Sequence, residues 1–222
     1  MAAVGNGEAL KSIQAYRWVY PGGGWAGSAT LLIFFNRRAY RVAMPAIQVW
    51  TIADLDTLPY DGVRYEILDG ELIVNPPPHV RHADALGRLL FSLYEYCRAQ
   101  PNVTAFTSPI GLRFSDHRYF EPDILVARLN EGPLPDMLDP KQALLVVEVL
   151  SPSSSARDRG RKREIYMEEG VAEYWVVDEA NHSIERWLHG EQLPVVETGI
   201  LLWSVAAGAV PMAIDLRTLF RH

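Results

Sequence analysis

Cysteine is nearly missing from this chain. Cys97 stands alone among 222 residues, so the chain has no intrachain disulfide and no multi-cysteine metal centre. A lone thiol fits a reducing cytoplasm. Long apolar runs are lacking too. The stretch "SATLLIFF" near the start falls far short of the roughly 20 residues of a spanning helix. It is no secretory signal either, because "NRRAYR" follows where small residues should stand. No membrane partner is expected. An excess of basic charge is also lacking: the net charge is -6, whereas a dedicated nucleic-acid binder is usually basic. A local basic patch remains compatible with that balance. Glycine-rich phosphate loops and dinucleotide fingerprints do not occur. Nor does the G-x-S-x-G turn, which removes Ser153 to Ser155 as a nucleophile elbow and a stand-alone esterase as a reading.

What is present describes a packed globule. The chain is 49% hydrophobic, with six tryptophans and ten tyrosines, which excludes extended disorder. Residues 1–43 read differently from the rest. "YPGGGWAGSA" is turn-rich, and no helical or strand period runs across the segment. It is expected to be an extension outside the main fold, as an upstream start codon would add. The domain proper is expected over 44–222. Thr51 before "IADLDTL" signals a short capped helix. "VRYEILDGELIVNPPP" is a hairpin about Asp69-Gly70. "HADALGRLLFSLYEYCRA" carries leucines at helical spacing. Three strand candidates follow: "VTAFTSPIGLRF", "FEPDILVARL" and "ALLVVEVL". A helix is expected from the serine cluster at Ser153–Ser155 to about Glu169, with Gly170 as its stop. "VAEYWVVD" and "HSIERWLHG" read as further strands, and "AIDLRTLF" as the close of the domain. The order helix, three strands, helix, strand implies an α/β fold with a mixed sheet.

Within this frame one residue is out of place. Glu148 interrupts the apolar run "LLVVEVL". Strand alternation puts it on one face with Val146 and Leu150. A buried carboxylate needs a cation, a donor cluster or a metal. If 121–129 pairs antiparallel with 143–150, Asp123 comes beside Glu148. Two adjacent carboxylates raise each other's pKa, and a divalent cation with oxygen ligands relieves the conflict. In the following helix Asp158, Lys162 and Tyr166 are spaced i, i+4, i+8 and share a face. Lys162 lies about two turns in, roughly 10 Å along the axis, from where its ammonium can turn back to the acids with Asp158 to orient it. The arginines around it read as a solvated, substrate-facing surface. His79 and His82 are spaced i, i+3, but no third ligand stands near them. His82 fits better as an orienting or phosphate-contacting residue.

Pro122-Asp123, Glu148-Val149-Leu150 and Lys162 together resemble the PD-(D/E)XK nuclease superfamily. The standard motif has its lysine two residues after the glutamate, where this chain has Leu150. The run "VVEVLSPSSSARDRGRKREIYMEEGVAEYWVVD" is similar to one bacterial family of restriction-endonuclease-like proteins. In that family the lysine is displaced into a "D-R-x-x-K-x-x-x-Y" helix, matched here by Asp158, Arg159, Lys162 and Tyr166. The likeness extends over about residues 47 to 220. It implies a restriction-endonuclease-like mixed β-sheet flanked by helices, with the hairpin at its N-terminal side, and Mg²⁺- or Mn²⁺-dependent hydrolysis of nucleic acid, with DNA the expected substrate. Asp123, Glu148 and the Val149 carbonyl would hold the metal. Lys162 would act on the attacking water or the developing charge, and Glu66 would be an extra acid. A homodimer is compatible with this reading. The competing reading is a catalytically silent module that keeps the fold to bind nucleic acid or protein.

Overall fold

A computed structural model describes residues 48–59, 62–135 and 137–221, together with the backbone of 30–35 and 38–43. Contacts divide the chain into two units, Met1–Gln48 and Val49–His222. In the first, β1 (Thr30–Phe35) and β2 (Arg38–Ala43) pair as an antiparallel hairpin. This differs from the sequence reading of that segment. The run "TLLIFF" is apolar at nearly every position, so it carries no alternation to mark a strand. The rest of the expected extension, 1–29 and 36–37, lies outside the described residues, as does the boundary at Met44.

The second unit opens with α1 (Ile52–Leu55), where the Asp54 carboxylate accepts from both the N–H and the hydroxyl of Thr51 at 2.7 Å. β3 (Arg64–Leu68) and β4 (Glu71–Asn75) form the expected hairpin. Asp69 and Gly70 have φ of 50° and 85°, the left-handed pair of a two-residue turn that matches strand twist. α2 (Val80–Arg98) buries Ala85, Leu89, Leu93 and Cys97, four residues apart along one face. Burial pushes the Cys97 thiol up to about 11, which leaves it inert.

The segment "VTAFTSPIGLRF" is not one strand. It divides into β5 (Val103–Thr107) and β6 (Leu112–Ser115). Pro109 between them has no N–H to extend a ladder, and the two strands enter different sheets. β7 (Arg118–Phe120), β8 (Ile124–Arg128) and β9 (Ala143–Val149) follow. The next helix is α3 (Ser155–Arg157), then a π turn over Asp158–Lys162 kinked at Gly160, then α4 (Arg163–Glu168). The sequence reads as one helix here; the wider turn within it is a feature often found at functional sites. Ser151 and Ser154 each accept from the other's N–H through their hydroxyls at 3.2 Å, and the helix N-cap is Ser154, within the expected serine cluster. Its end has Gly170 at φ 86° and the Val171 N–H bonded to the Tyr166 carbonyl at 3.0 Å, a Schellman stop. β10 (Glu173–Asp178), β11 (Ser183–Leu188), β12 (Val195–Glu197), β13 (Ile200–Trp203), β14 (Met212–Asp215) and α5 (Leu216–Leu219) complete the unit.

The main sheet has the order β12-β11-β10-β9-β8-β5. β9 and β10 are parallel and the other neighbours antiparallel. A four-stranded sheet runs β4-β3-β7-β6. Alternation along the central strands makes two cores. Val147 and Trp175 pack with Leu89 and Leu93 of α2 on one face. Val146, Tyr174 and Val176 pack with Ile165 and Tyr166 of α4 and with Phe120 on the other. Among the described residues no helix is long and apolar enough to cross a membrane.

One close approach lies beside the four-stranded sheet, just before β6. A Cβ on Gly111 would overlap the Tyr119 ring, whose hydroxyl is 3.1 Å from Glu121 Oε1. Gly111→Ala is expected to displace that ring and to cost about 1–3 kcal/mol of stability, as overpacking does. Urea unfolding checks this, and an unchanged midpoint would contradict it.

Candidate active site

Two strand ends create the acidic pair. Ile124 of β8 stands opposite Val147 of β9 in the antiparallel register, which brings Asp123 beside Glu148. Their side chains point to the face that α4 covers. Glu66 from β3, and Asp158 and Lys162 from the π turn, converge on the same place. All five side chains belong to residues between 2% and 4% exposed. They lie at a cleft of about 690 Å³ whose rim includes Pro76–Pro78, His79, Arg81 and Ser151–Ser154.

Lys162 holds the centre. Its Nζ donates to Glu148 Oε1 at 2.6 Å and to Glu66 Oε1 and Oε2 at 3.0 and 3.2 Å. Asp158 Oδ1 is more distant, at 3.9 Å, so Asp158 contributes field rather than orientation. Of the four acids, Glu66 is the one that bonds the ammonium through both of its oxygens. The Tyr166 hydroxyl also donates to Glu148 Oε1, at 3.0 Å. Its ring is anchored by Phe114, Phe120 and Tyr174, with centroids 5.0 to 5.7 Å away. The Lys162 ammonium stands 5.2 Å from the centroid of the Phe120 ring, a favourable cation–π contact.

Asp123 has a separate set of partners. Arg64 Nη1 donates to Oδ1 at 2.9 Å, and the Val149 N–H donates to Oδ2 at 2.8 Å. His82 Nε2 is 3.5 Å from Oδ2, so His82 stands beside this carboxylate. His79 is the exposed residue before α2, and the two histidines are not paired on one point. Arg64 and Asn75 escaped the sequence reading. The signal was there: a two-residue turn at Asp69-Gly70 sets Arg64 opposite Asn75, at the open end of the hairpin. Arg159 and Arg161 are each drawn into ion pairs, with side chains 36% and 35% exposed. Arg159 bonds Asp178 and Glu185 at 2.6 and 2.7 Å, and Arg161 bonds Asp69 at 2.7 Å.

The electrostatics follow from the count. Four buried carboxylates, Glu66, Asp123, Glu148 and Asp158, face Lys162 and Arg64. Burial pushes the Glu148 carboxyl up to about 8, with Asp158, Asp123 and Glu66 adding to the rise and Lys162 opposing it. Burial likewise raises Asp158, against the pull of Lys162. Asp123 goes the other way. Burial works to raise it, but His82, Arg64 and the Val149 N–H together hold it below the usual carboxylate range. Lys162 is raised because Glu148, Glu66 and Asp158 outweigh its burial.

The donor set fits a small hard cation. Among the described residues no group of three or more His, Cys, Asp and Glu side chains forms a ready metal cage. Two carboxylates at a cleft, with waters and a substrate oxygen completing the shell, are the usual provision for Mg²⁺. Among the described residues no hydrogen bond reaches Glu148 Oε2. An oxygen with spare lone pairs on a cleft-lining carboxylate, inside a cluster with excess negative charge, is what a divalent ion requires.

Comparison with known proteins agrees with this fold. No curated protein matches the chain. The crystal structure of a "putative nuclease belonging to DUF820" from Anabaena variabilis matches with a TM-score of 0.65 at 18% identity, over 77% of this chain and 97% of that one. That likeness is one of fold. The profile of the Uma2 family, described as "Putative restriction endonuclease", matches residues 52–206, a span from α1 past β13 that includes each side chain of the acidic cluster. The chain therefore belongs to the Uma2 family, within the restriction-endonuclease-like superfamily.

Proposed function

We propose that this protein is a divalent-metal-dependent nuclease that hydrolyses phosphodiester bonds, with DNA the expected substrate. The observation that carries the reading is the meeting of Asp123 and Glu148 at adjacent strand ends with the Lys162 ammonium 2.6 Å from Glu148 Oε1. Asp123 and Glu148 would hold Mg²⁺ or Mn²⁺, with the Val149 carbonyl as a third ligand. When bound, such an ion polarises the scissile phosphate and lowers the pKa of an attacking water. Lys162 orients that water or offsets the charge that grows on the phosphate. Tyr166 fixes the Glu148 carboxylate through Oε1, and Asp158 adds to the field on the ammonium. Arg64, bonded to Asp123 and lining the cleft, is placed to transfer to a substrate phosphate, a bidentate partner well matched to its fork. Arg81 at the rim is 73% exposed in its side chain and can contact the backbone further out.

The ion pairs of Lys162 and Arg64 with the acids also suit a silent module that keeps the fold and binds without cutting. One titration separates the two readings. Mg²⁺ added to the protein with mixed single- and double-stranded DNA and RNA is expected to start cleavage, and Glu148→Gln is expected to stop it. Binding without cleavage at any metal concentration would support the silent module. Cleavage by Glu148→Gln at the parent rate would remove Glu148 from the site.

A further inference from the structure

The β3–β4 hairpin brings two further polar side chains to the site, and neither is open to a metal. Glu66 is 2% exposed and Asn75 is 9% exposed. A carboxylate offers about four lone-pair sites, and all those of Glu66 are taken. Its Oε1 accepts from Lys162 Nζ at 3.0 Å and from the Glu121 N–H at 2.8 Å. Its Oε2 accepts from Asn75 Nδ2 at 3.0 Å and from Lys162 Nζ at 3.2 Å. Glu148 contrasts with this. Both of its hydrogen bonds converge on Oε1.

We infer that Glu66, oriented by Asn75, is the positioning residue of Lys162 and is not a metal ligand. The inference rests on the reading of Lys162 as the working ammonium of a metal site. The physical need is plain. A lysine delivered from a helix swings on a long flexible stem, and one contact with Glu148 does not fix its direction. Glu66 supplies the second anchor. The Glu121 N–H and Asn75 hold one oxygen each, so the Glu66 carboxylate plane is set before the ammonium binds. The hairpin thus performs the service that a sheet position performs for a lysine in the strand: it decides where the charge stands.

The test uses Asn75→Ala and Glu66→Gln in the full-length protein. With ¹⁵N-labelled lysine, the Lys162 ammonium protons, assigned by their loss in Lys162→Met, are expected to exchange slowly enough to be seen by NMR. Both variants are expected to lose that signal. In cleavage assays both should lower kcat about tenfold or more with KM unmoved, the pattern of a group acting on the transition state. Asn75→Ala carries no charge change, so it also separates the two roles of Glu66. If Glu66 were a ligand, loss of its outer partner would weaken Mn²⁺ binding by about 10- to 100-fold. If Glu66 positions Lys162, Mn²⁺ affinity measured by EPR stays close to the parent value. A lysine signal that persists in both variants, one that is absent from the parent, or a tenfold loss of Mn²⁺ affinity in Asn75→Ala would overturn the inference. A parent that cuts nothing would defeat the nuclease reading, and the lysine signal would still decide the positioning role.

Discussion

Lys162→Met is expected to lower kcat for nucleic-acid cleavage by about 10²- to 10³-fold, the usual loss when one preorganised donor to a developing charge is removed. From the sequence, substitution of this lysine should leave folding largely intact. The structure changes that expectation. Lys162 is the ammonium that Glu66 and Glu148 share, with Asp158 behind it. Removing one partner of a buried ion pair costs about 3–5 kcal/mol. Methionine is the better test than alanine, because it fills the stem and adds no large cavity. The cost will depend on pH. Glu148 titrates near 4.5 as an ordinary glutamate and is pushed up to about 8 in the fold. The folded state therefore holds more protons between those values, and its stability falls as pH rises through that window. Without Lys162 the Glu148 carboxyl moves higher still. Both folded proteins keep that proton up to about pH 8. The deficit from this group should therefore stay level from mild acid to about pH 8 and widen above it, where the parent ionises and the variant does not. Single-turnover cleavage and melting measured across this range test both claims. Cleavage at the parent rate would remove Lys162 from the mechanism.

The second large effect is on the metal. Mg²⁺ or Mn²⁺ at about a hundredfold above Kd should stabilise the parent by about 2.7 kcal/mol, which for a chain of this size is a rise of about 5–10 °C in Tm. Asp123→Ala should abolish that rise. The variant will also melt lower in the absence of metal, because the Val149 N–H and Arg64 lose their buried acceptor. The quantity to compare is therefore the shift, not the midpoint. The shift in the parent should grow between pH 6 and 8, since the ion requires Glu148 ionised and its entry expels the proton that burial retains. An Asp123→Ala protein with the full parental shift would refute the assignment. A parent with no shift should be measured again with nucleic acid present, because a substrate phosphate can complete such a shell.

Much of the fold was legible because its signals are local. Asp69-Gly70 specifies a turn that few other dipeptides fit, and the spacing of Leu89 and Leu93 specifies the buried face of α2. Glu148 showed itself by interrupting an apolar strand, where an unpaired charge cannot remain, and Asp123 by standing where antiparallel pairing would bring it alongside. The displaced lysine showed itself by its spacing from Asp158 and Tyr166, and by the resemblance that this spacing carries. The division of "VTAFTSPIGLRF" between two sheets was not legible, because both halves have strand composition and only the sheets they join tell them apart.

The sequence by itself determined which groups had to meet: strand alternation and the cost of a buried charge commit Asp123, Glu148 and a cation to one another. Only the tertiary structure decided how that cation is held. Arg64 and Asn75 look like ordinary polar ends of a hairpin, and Glu66 like one more acid. Their roles come from partners 59, 9 and 96 residues away along the chain. Arg159 and Arg161 likewise read as free positive charge until the fold brings them Asp178 and Asp69. No local pattern encodes such pairings, because an ion pair depends on distance in space, and that distance is set by how the two sheets and the kinked helix pack.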